Sequence, residues 1–280
     1  MTLQLGLIGD NIARSRAPVL HRLAGAQTGI EVRYDRLVPA TLGQDFETVF
    51  ARCAETGFRG INVTYPYKER VVRHLRIDDP LVRAIGAVNT VVFDADGAVG
   101  YNTDHSGFAE AYRAARDAPP GPTLMIGTGG VGRAIAFALA ALGAEDLRLV
   151  DREPAKAEAL AAALRRAAPS IRVSVGTSPE TAAVGVSGLV NCTPVGMDGH
   201  EGTPIEASAM AGADWAFDAV YTPPDTAFLT AAAKRGLVAI SGYELFFWQG
   251  VHAWAHFSGA PLDRERLRAE LAAAPAEDAV

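Results

Sequence analysis

The chain has 280 residues, 49% of them apolar, and a formal charge of −6. That is an ordinary globular profile, long enough for one large domain or two smaller ones. The acidic balance leaves no basic footprint for nucleic acid, and no run approaches the roughly 18 apolar residues of a membrane span. MTLQLGLIGD lacks the basic region and long apolar core of a secretory leader. Cys53 and Cys192 lie far apart with no metal-ligand spacing around either. They read as reduced core thiols in a cytoplasmic protein, with no metal site expected.

In chain order, QLGLIG (4–9) reads as a strand and Pro18 opens a helix. VRYDRLV (32–38) is a second strand. LGQDFETVFARCAETG (42–57) places Phe46, Val49, Phe50 and Cys53 at helical spacing before Gly57. GINVTY (60–65) is a third strand that meets a Tyr-Pro-Tyr corner and then Lys68, and AVNTVVFDADGAVGYN (87–102) reads as a hairpin turning at Asp96-Gly97. DAPPGP (117–122) is the clearest linker. A fresh series of units follows: strand 123–127, helix 131–142, strand 146–151, helix 155–167, strands IRVSVG, 188–193 and 215–220, and helix 226–235. Alternating strands and helices imply parallel sheets buried between helices. The fold expected is α/β with two α/β domains, split near residues 104–122. The aromatic helix 243–257 fits no βα unit and is expected to cross back to the first domain, ahead of an Ala-rich tail from about Ala272.

MIGTGGVGRAIAFALAALG carries Gly127, Gly129 and Gly132 at the three glycine positions of a dinucleotide-binding turn, between a strand and a helix. The first glycine permits the tight turn, the second lets a pyrophosphate approach the backbone, and the third lets helix pack on strand. The helix N-terminus offers N–H groups and a positive dipole end to the phosphates. Asp151 ends the next strand, where a carboxylate accepts ribose hydroxyls and repels a 2′-phosphate, so NAD is expected over NADP. Arg152 follows directly and is the residue type that accommodates NADP.

ARSRAP, NVTYPYK, GAVNTV, YNTD, GTGGVG, VNCTPVGM and GYELFFWQG occur in that order. The set resembles the shikimate/quinate dehydrogenase family over nearly the full length. The resemblance implies a substrate domain of residues 1–103 and 241–280, a Rossmann domain of residues 104–240, and an active site in the cleft between them. It implies hydride transfer from the ring C3 hydroxyl of shikimate or quinate, giving 3-dehydroshikimate or 3-dehydroquinate. By the same resemblance Lys68 is the catalytic lysine and Asp104 its partner. Oxidising an alcohol needs a proton acceptor, and lysine serves where burial or a neighbouring cation lowers its proton affinity.

The resemblance further implies that Ser15, Thr64, Asn89 and Gln249 hold the substrate, that Asn62 supports them, and that Tyr221 lies near the substrate carboxylate. It assigns Gly127, Thr128, Gly129, Gly130, Val131, Gly132, Asp151, Arg152, Thr193, Ala219 and Gly242 to the cofactor. Two positions depart from the family. The second serine of its Ser-x-Ser clamp is Ala17, and its Asn-Arg-Thr phosphate element is replaced by VDREPAK. Both point away from the NADP-linked biosynthetic shikimate enzyme, toward an NAD-linked catabolic or specialised relative. Open alternatives are that biosynthetic enzyme, a dehydrogenase of a modified, for example aminated, quinate-like acid, and a non-catalytic NAD-binding regulator. The partner expected is a cyclic polyhydroxy carboxylic acid, with neither nucleic acid nor membrane. The sequence leaves a homodimer open.

Overall fold

The computed structural model describes residues 2–275. They form two compact units, one built from the residues up to Thr103 and from Gln249 onward, the other from Asp104–Trp248.

The first unit contains β1 (Thr2–Ile8), α1 (Ala17–Thr28), β2 (Glu31–Leu37), α2 (Phe46–Glu55), β3 (Gly60–Val63), a 3-10 turn (Arg70–His74), α3 (Pro80–Ile85), β4 (Thr90–Asp94) and β5 (Gly97–Tyr101). Its sheet has the order β2-β1-β3-β4-β5. The first three strands are parallel, but β4 runs antiparallel to β3 and to β5. The hairpin expected over 87–102 is the β4–β5 pair, which turns at Gly97, whose φ of 120° only glycine adopts readily, so this sheet is mixed rather than purely parallel. The helix expected over 42–57 starts at Phe46, since Asp45 caps it by accepting the Thr48 N–H at 2.8 Å. Ile8, Phe46, Val49, Ile61, Val63 and Val91 form the core.

The second unit opens at α4 (Thr103–Ala115) and continues with β6 (Thr123–Ile126), α5 (Gly130–Ala141), β7 (Asp146–Val150), α6 (Pro154–Ala167), β8 (Arg172–Val175), α7 (Pro179–Ala182), β9 (Gly188–Asn191), β10 (Trp215–Asp218), α8 (Ala227–Lys234) and β11 (Val238–Ile240). Every neighbouring strand pair is parallel, in the order β11-β10-β9-β6-β7-β8. This is the doubly wound arrangement, with the order reversing between β6 and β9. DAPPGP is not a link between units. Phe108 of α4 packs edge-on against Phe217, and Tyr112 edge-on against Trp215. The segment itself is held by Tyr112 Oη donating to the Ala118 carbonyl and Trp215 Nε1 to that of Pro120.

Two helices complete the chain, α9 (Gly242–Ser258) and α10 (Arg264–Ala273). The return to the first unit falls inside α9, at Gln249, rather than at residue 241. The start of α9 is fixed within the second unit, where a Cβ on Gly242 would meet the Ala219 carbonyl oxygen at 2.7 Å. Further along, a Cβ on Gly250 would meet Leu20 of α1 at 2.7 Å, so glycine lets this half of α9 lie close on α1. Of the Ala-rich tail, 272–273 close α10, and residues 276–280 lie outside the described residues. Among the described residues no helix is long and apolar enough to cross a membrane.

Candidate active site

The pairing of β3 with β4 sets Asn62 directly opposite Thr90. Asn62 Nδ2 donates to Thr90 Oγ1 at 3.2 Å and to the Asn89 carbonyl at 3.3 Å, while its Oδ1 accepts from the Tyr34 hydroxyl at 2.8 Å. Asn89 Oδ1 accepts the Thr103 N–H at 2.7 Å, and its Nδ2 donates to Thr103 Oγ1 at 2.9 Å and Gln249 Oε1 at 3.4 Å. Asn62, Asn89, Thr90 and Thr103 are all buried. Amides and hydroxyls at that depth need partners, and here they supply one another. His21 stacks on Tyr34, ring centroids 5.2 Å apart. Burial pulls its pKa down to about 4, against a hydrogen bond with Asn62 acting the other way, so the imidazole is neutral near pH 7.

β3 ends at Val63, and Pro66, lacking an N–H, cannot continue it. The Thr64 N–H donates to the Ile8 carbonyl at 2.9 Å, and the Tyr67 N–H closes the corner on the Thr64 carbonyl at 2.8 Å. The Lys68 carbonyl accepts the Val88 N–H at 2.9 Å, which ties the corner to the residue before Asn89. Tyr67 is fixed beneath it, its ring stacked on Phe46 and its hydroxyl donating to Asp10 Oδ1 at 2.6 Å. Lys68 thus projects, half-buried, from a fixed backbone. Ser15 is buried ahead of α1, and its hydroxyl oxygen accepts the Ala17 N–H at 3.3 Å.

In the second unit the glycine loop bridges β6 and α5 at the switch in strand order. Gly127 has φ of 93°, and a Cβ there would meet the Cys192 carbonyl carbon at 2.7 Å. A Cβ on Gly132 would run into the Gly127 carbonyl oxygen, whereas one on Gly129 would project into open space. Gly130 and Val131 open α5, where the first-turn N–H groups have no helical acceptor. Asp151 follows β7: Oδ2 accepts both the N–H and the hydroxyl of Thr128 at 2.7 Å, and Oδ1 accepts the Glu153 N–H at 2.9 Å. Burial alone would raise its pKa, but these bonds and the charge of Lys156 outweigh it, leaving the carboxyl below the usual range. Arg152 is exposed.

Thr193 is anchored through Asn191, whose Oδ1 accepts its N–H at 3.0 Å and its hydroxyl at 2.7 Å. Asn191 Nδ2 donates to Asp218 Oδ1 at 2.9 Å, and the Ala219 N–H donates to the Asn191 carbonyl at 2.8 Å. Asp218 also accepts from Val220 N at 3.0 Å and Thr226 Oγ1 at 2.6 Å. Burial pushes its pKa up to about 6 despite those three donors. Tyr221 stacks on Phe246 at 4.9 Å, and Asp104 is buried in the first turn of α4. Among the described residues no group of three or more His, Cys, Asp or Glu could hold a metal ion.

A family model described as the shikimate dehydrogenase substrate binding domain matches residues 7–91. A quinate/shikimate dehydrogenase (NAD(+)) of Corynebacterium efficiens is 36% identical over 275 residues, covering 96% of this chain and 97% of that one. A shikimate dehydrogenase (NADP(+)) of Streptomyces avermitilis is 37% identical over 275 residues, covering 96% and 94%. The solved quinate dehydrogenase from Corynebacterium glutamicum in complex with NAD superposes with a TM-score of 0.88 at 33% identity, over 98% of this chain and 99% of that one. The chain belongs to the shikimate/quinate dehydrogenase family. It is an oxidoreductase with a Rossmann-type second unit.

Within that frame, Asn62, Asn89 and Gln249 form one network, to which Thr64 and Lys68 are tied through backbone. Asp104, Tyr221 and the cofactor candidates belong to the second unit. Sequence reasoning missed Tyr34, Thr90, Thr103, Asn191, Asp218, Thr226 and the Asp10–Tyr67 pair. Asp218 carried a readable signal, a lone acid inside the apolar run WAFDAV. The rest are common residue types whose burial depends on partners distant in sequence.

Proposed function

We propose that this chain is an NAD-linked dehydrogenase that oxidises the ring C3 hydroxyl of quinate or shikimate. The observation that carries the cofactor half is the Asp151 carboxylate, ionised and fixed by three donors at the end of β7. An anion there accepts ribose hydroxyls and repels a 2′-phosphate. The residues present fit a nicotinamide dinucleotide. Gly129 leaves room beside the loop, the N–H groups opening α5 suit a pyrophosphate, Thr193 and Ala219 follow the anchored ends of β9 and β10, and Gly242 opens α9 close against the Ala219 carbonyl. When bound, the nicotinamide accepts the hydride.

The remaining steps belong to side chains. Lys68 takes the proton from the alcohol oxygen during oxidation and returns it during reduction, and Asp104 orients it. Proton transfer by a positioned group contributes about 10²–10⁴-fold in rate. Ser15, Thr64, Asn89 and Gln249 bind the carboxylate and ring hydroxyls, with Tyr221 near the carboxylate. Asn62 acts as a support, because its oxygen and amide already bond Tyr34, Asn89 and Thr90. The longest bond of the network, Asn89 to Gln249 at 3.4 Å, is the one a substrate hydroxyl would replace.

A second reading, NADP-linked shikimate oxidation, is favoured by the exposed Arg152 directly after Asp151. Initial rates with shikimate and quinate, each against NAD and NADP, separate the two. The first reading expects NAD to be preferred by about tenfold or more in kcat/KM. Comparable efficiencies would make Arg152 a phosphate ligand and install the second.

A further inference from the structure

Thr128, the second residue of the GTGGVG loop, is buried, yet both of its polar donors have one target. Its N–H and its hydroxyl each lie 2.7 Å from the same oxygen of Asp151, Oδ2. Backbone N–H groups in glycine loops commonly face phosphate; this one faces a carboxylate of its own chain. The loop cannot follow a moving Asp151, because Gly127 is wedged against Cys192 and the start of α5 is packed on the Gly127 carbonyl. On the other side, the Glu153 N–H holds Oδ1 at 2.9 Å. A carboxylate has about four acceptor positions. Two donors occupy those of Oδ2, and the one still open is on Oδ1.

We propose that Thr128 is a positioning residue for cofactor selectivity, locking the Asp151 carboxylate in one orientation that receives a ribose hydroxyl through Oδ1 and denies space and charge to a 2′-phosphate. This inference deepens the NAD reading above and rests on it. The hydroxyl is the decisive element, since the backbone N–H is present whatever residue stands at 128. Without it Oδ2 keeps a single donor, the side chain gains freedom to turn away, and the exposed Arg152 becomes able to take a phosphate. The methyl group has no such role, so serine should substitute for threonine.

The test is direct binding, by titration calorimetry of NAD and of NADP to the full chain and to Thr128→Ala, Thr128→Val, Thr128→Ser and Asp151→Asn. Losing a hydrogen bond to a charged group corresponds to a narrowing of the NAD-over-NADP ratio of Kd by about tenfold in the alanine and valine variants. Thr128→Ser should keep the parent ratio, because serine retains the hydroxyl that meets Asp151 Oδ2. Valine preserves shape, so it reports even where alanine loosens the loop. An unchanged ratio in both Ala and Val variants, with Asp151→Asn still narrowing it, overturns the role of Thr128 and leaves the NAD reading standing. A parent chain that binds both cofactors equally overturns that reading and this inference with it.

Discussion

In the first unit the polar groups gathered at the junction of β3 and β4 are neutral, with Asn62, Asn89, Thr90 and Thr103 exchanging hydrogen bonds and a neutral His21 lying behind Tyr34. The second unit instead holds carboxylates, the buried Asp218 and the half-buried Asp151, together with glycines that expose backbone. A neutral network of donors and acceptors suits a ligand rich in hydroxyl groups, and it can exchange a partner without leaving a bare charge. A fixed carboxylate beside free N–H groups suits a ligand that combines sugar hydroxyls with phosphate. At that junction the first unit presents neutral side chains alone, whereas the second unit combines carboxylates with exposed backbone N–H groups.

The largest expected effect falls on the proposed catalytic pair, Lys68 of the first unit and Asp104 of the second. Lys68→Ala and Asp104→Ala should each lower turnover by about two or more orders of magnitude, with cofactor affinity and fold retained. The double variant should be little worse than either single one, because residues acting as a unit are not additive. Steady-state kinetics with circular dichroism measures this, and near-parent turnover in Lys68→Ala would place the proton transfer elsewhere. The second unit's glycine loop should fail differently. Gly132→Ala puts a methyl group into the Gly127 carbonyl and should cost roughly 3 kcal/mol or more, the upper end of overpacking. Chemical denaturation and NAD titration would show both stability and cofactor affinity falling, while binding of the acid substrate alone persists. Parent-like NAD affinity in a folded Gly132→Ala protein would contradict the close-packing role.

The same contrast explains what could be read from the chain. The second unit was legible from residues, because GTGGVG between two strands has few structural solutions and its glycines are required by the close approaches at Gly127 and Gly132. The hairpin at Asp96-Gly97 was legible for a similar local reason. Of the candidate side chains of the first unit, Lys68 stood out past a strand end, and the others were reached only through family motifs. Nothing in the spacing links Tyr34 to Asn62 or Asn89 to Gln249, which the fold joins across long stretches of chain. Boundaries failed where tertiary packing overrode local composition. DAPPGP looks like a linker but is tied down by Tyr112 and Trp215, and the three-residue β11 is too short to carry a pattern.

Acidification should separate the units by sign. His21 has a pKa of about 4 in the fold against an ordinary 6.5, so its contribution to stability is full above 6.5 and is lost as pH falls toward 4. Asp218 has a pKa of about 6 against 3.8, so its contribution is full below 3.8 and is lost as pH rises through 6. Between pH 4 and 6 the first unit should weaken on acidification and the second strengthen on these groups, each by on the order of 2–3 kcal/mol at most. Amide hydrogen exchange read peptide by peptide across that range resolves the two. His21→Gln should flatten the trend in the first unit, and Asp218→Asn the trend in the second. Slopes of the same sign in both units would dissolve the contrast.

The smallest expected effect sharpens the neutral site. Ala17 opens α1 and donates its N–H to the hydroxyl oxygen of Ser15, at the position where the family's clamp has a second serine. A serine there would add a donor for the substrate carboxylate, and a hydrogen bond to a charged group is worth about 1.5–3 kcal/mol. The realised gain should be smaller, about tenfold or less, because the added hydroxyl must itself be desolvated at a buried position. Quinate carries an extra hydroxyl on the carbon bearing its carboxylate, and a carboxylate held at the Ser15 hydroxyl would bring it toward the side chain of residue 17. Serine there should help shikimate and crowd quinate. Ala17→Ser should therefore lower KM for shikimate with little change in kcat, the mark of a contact made equally in ground and transition states. Kinetics with both acids decides the matter: equal gains would show that position 17 does not discriminate, and no gain for either would remove it from the carboxylate clamp.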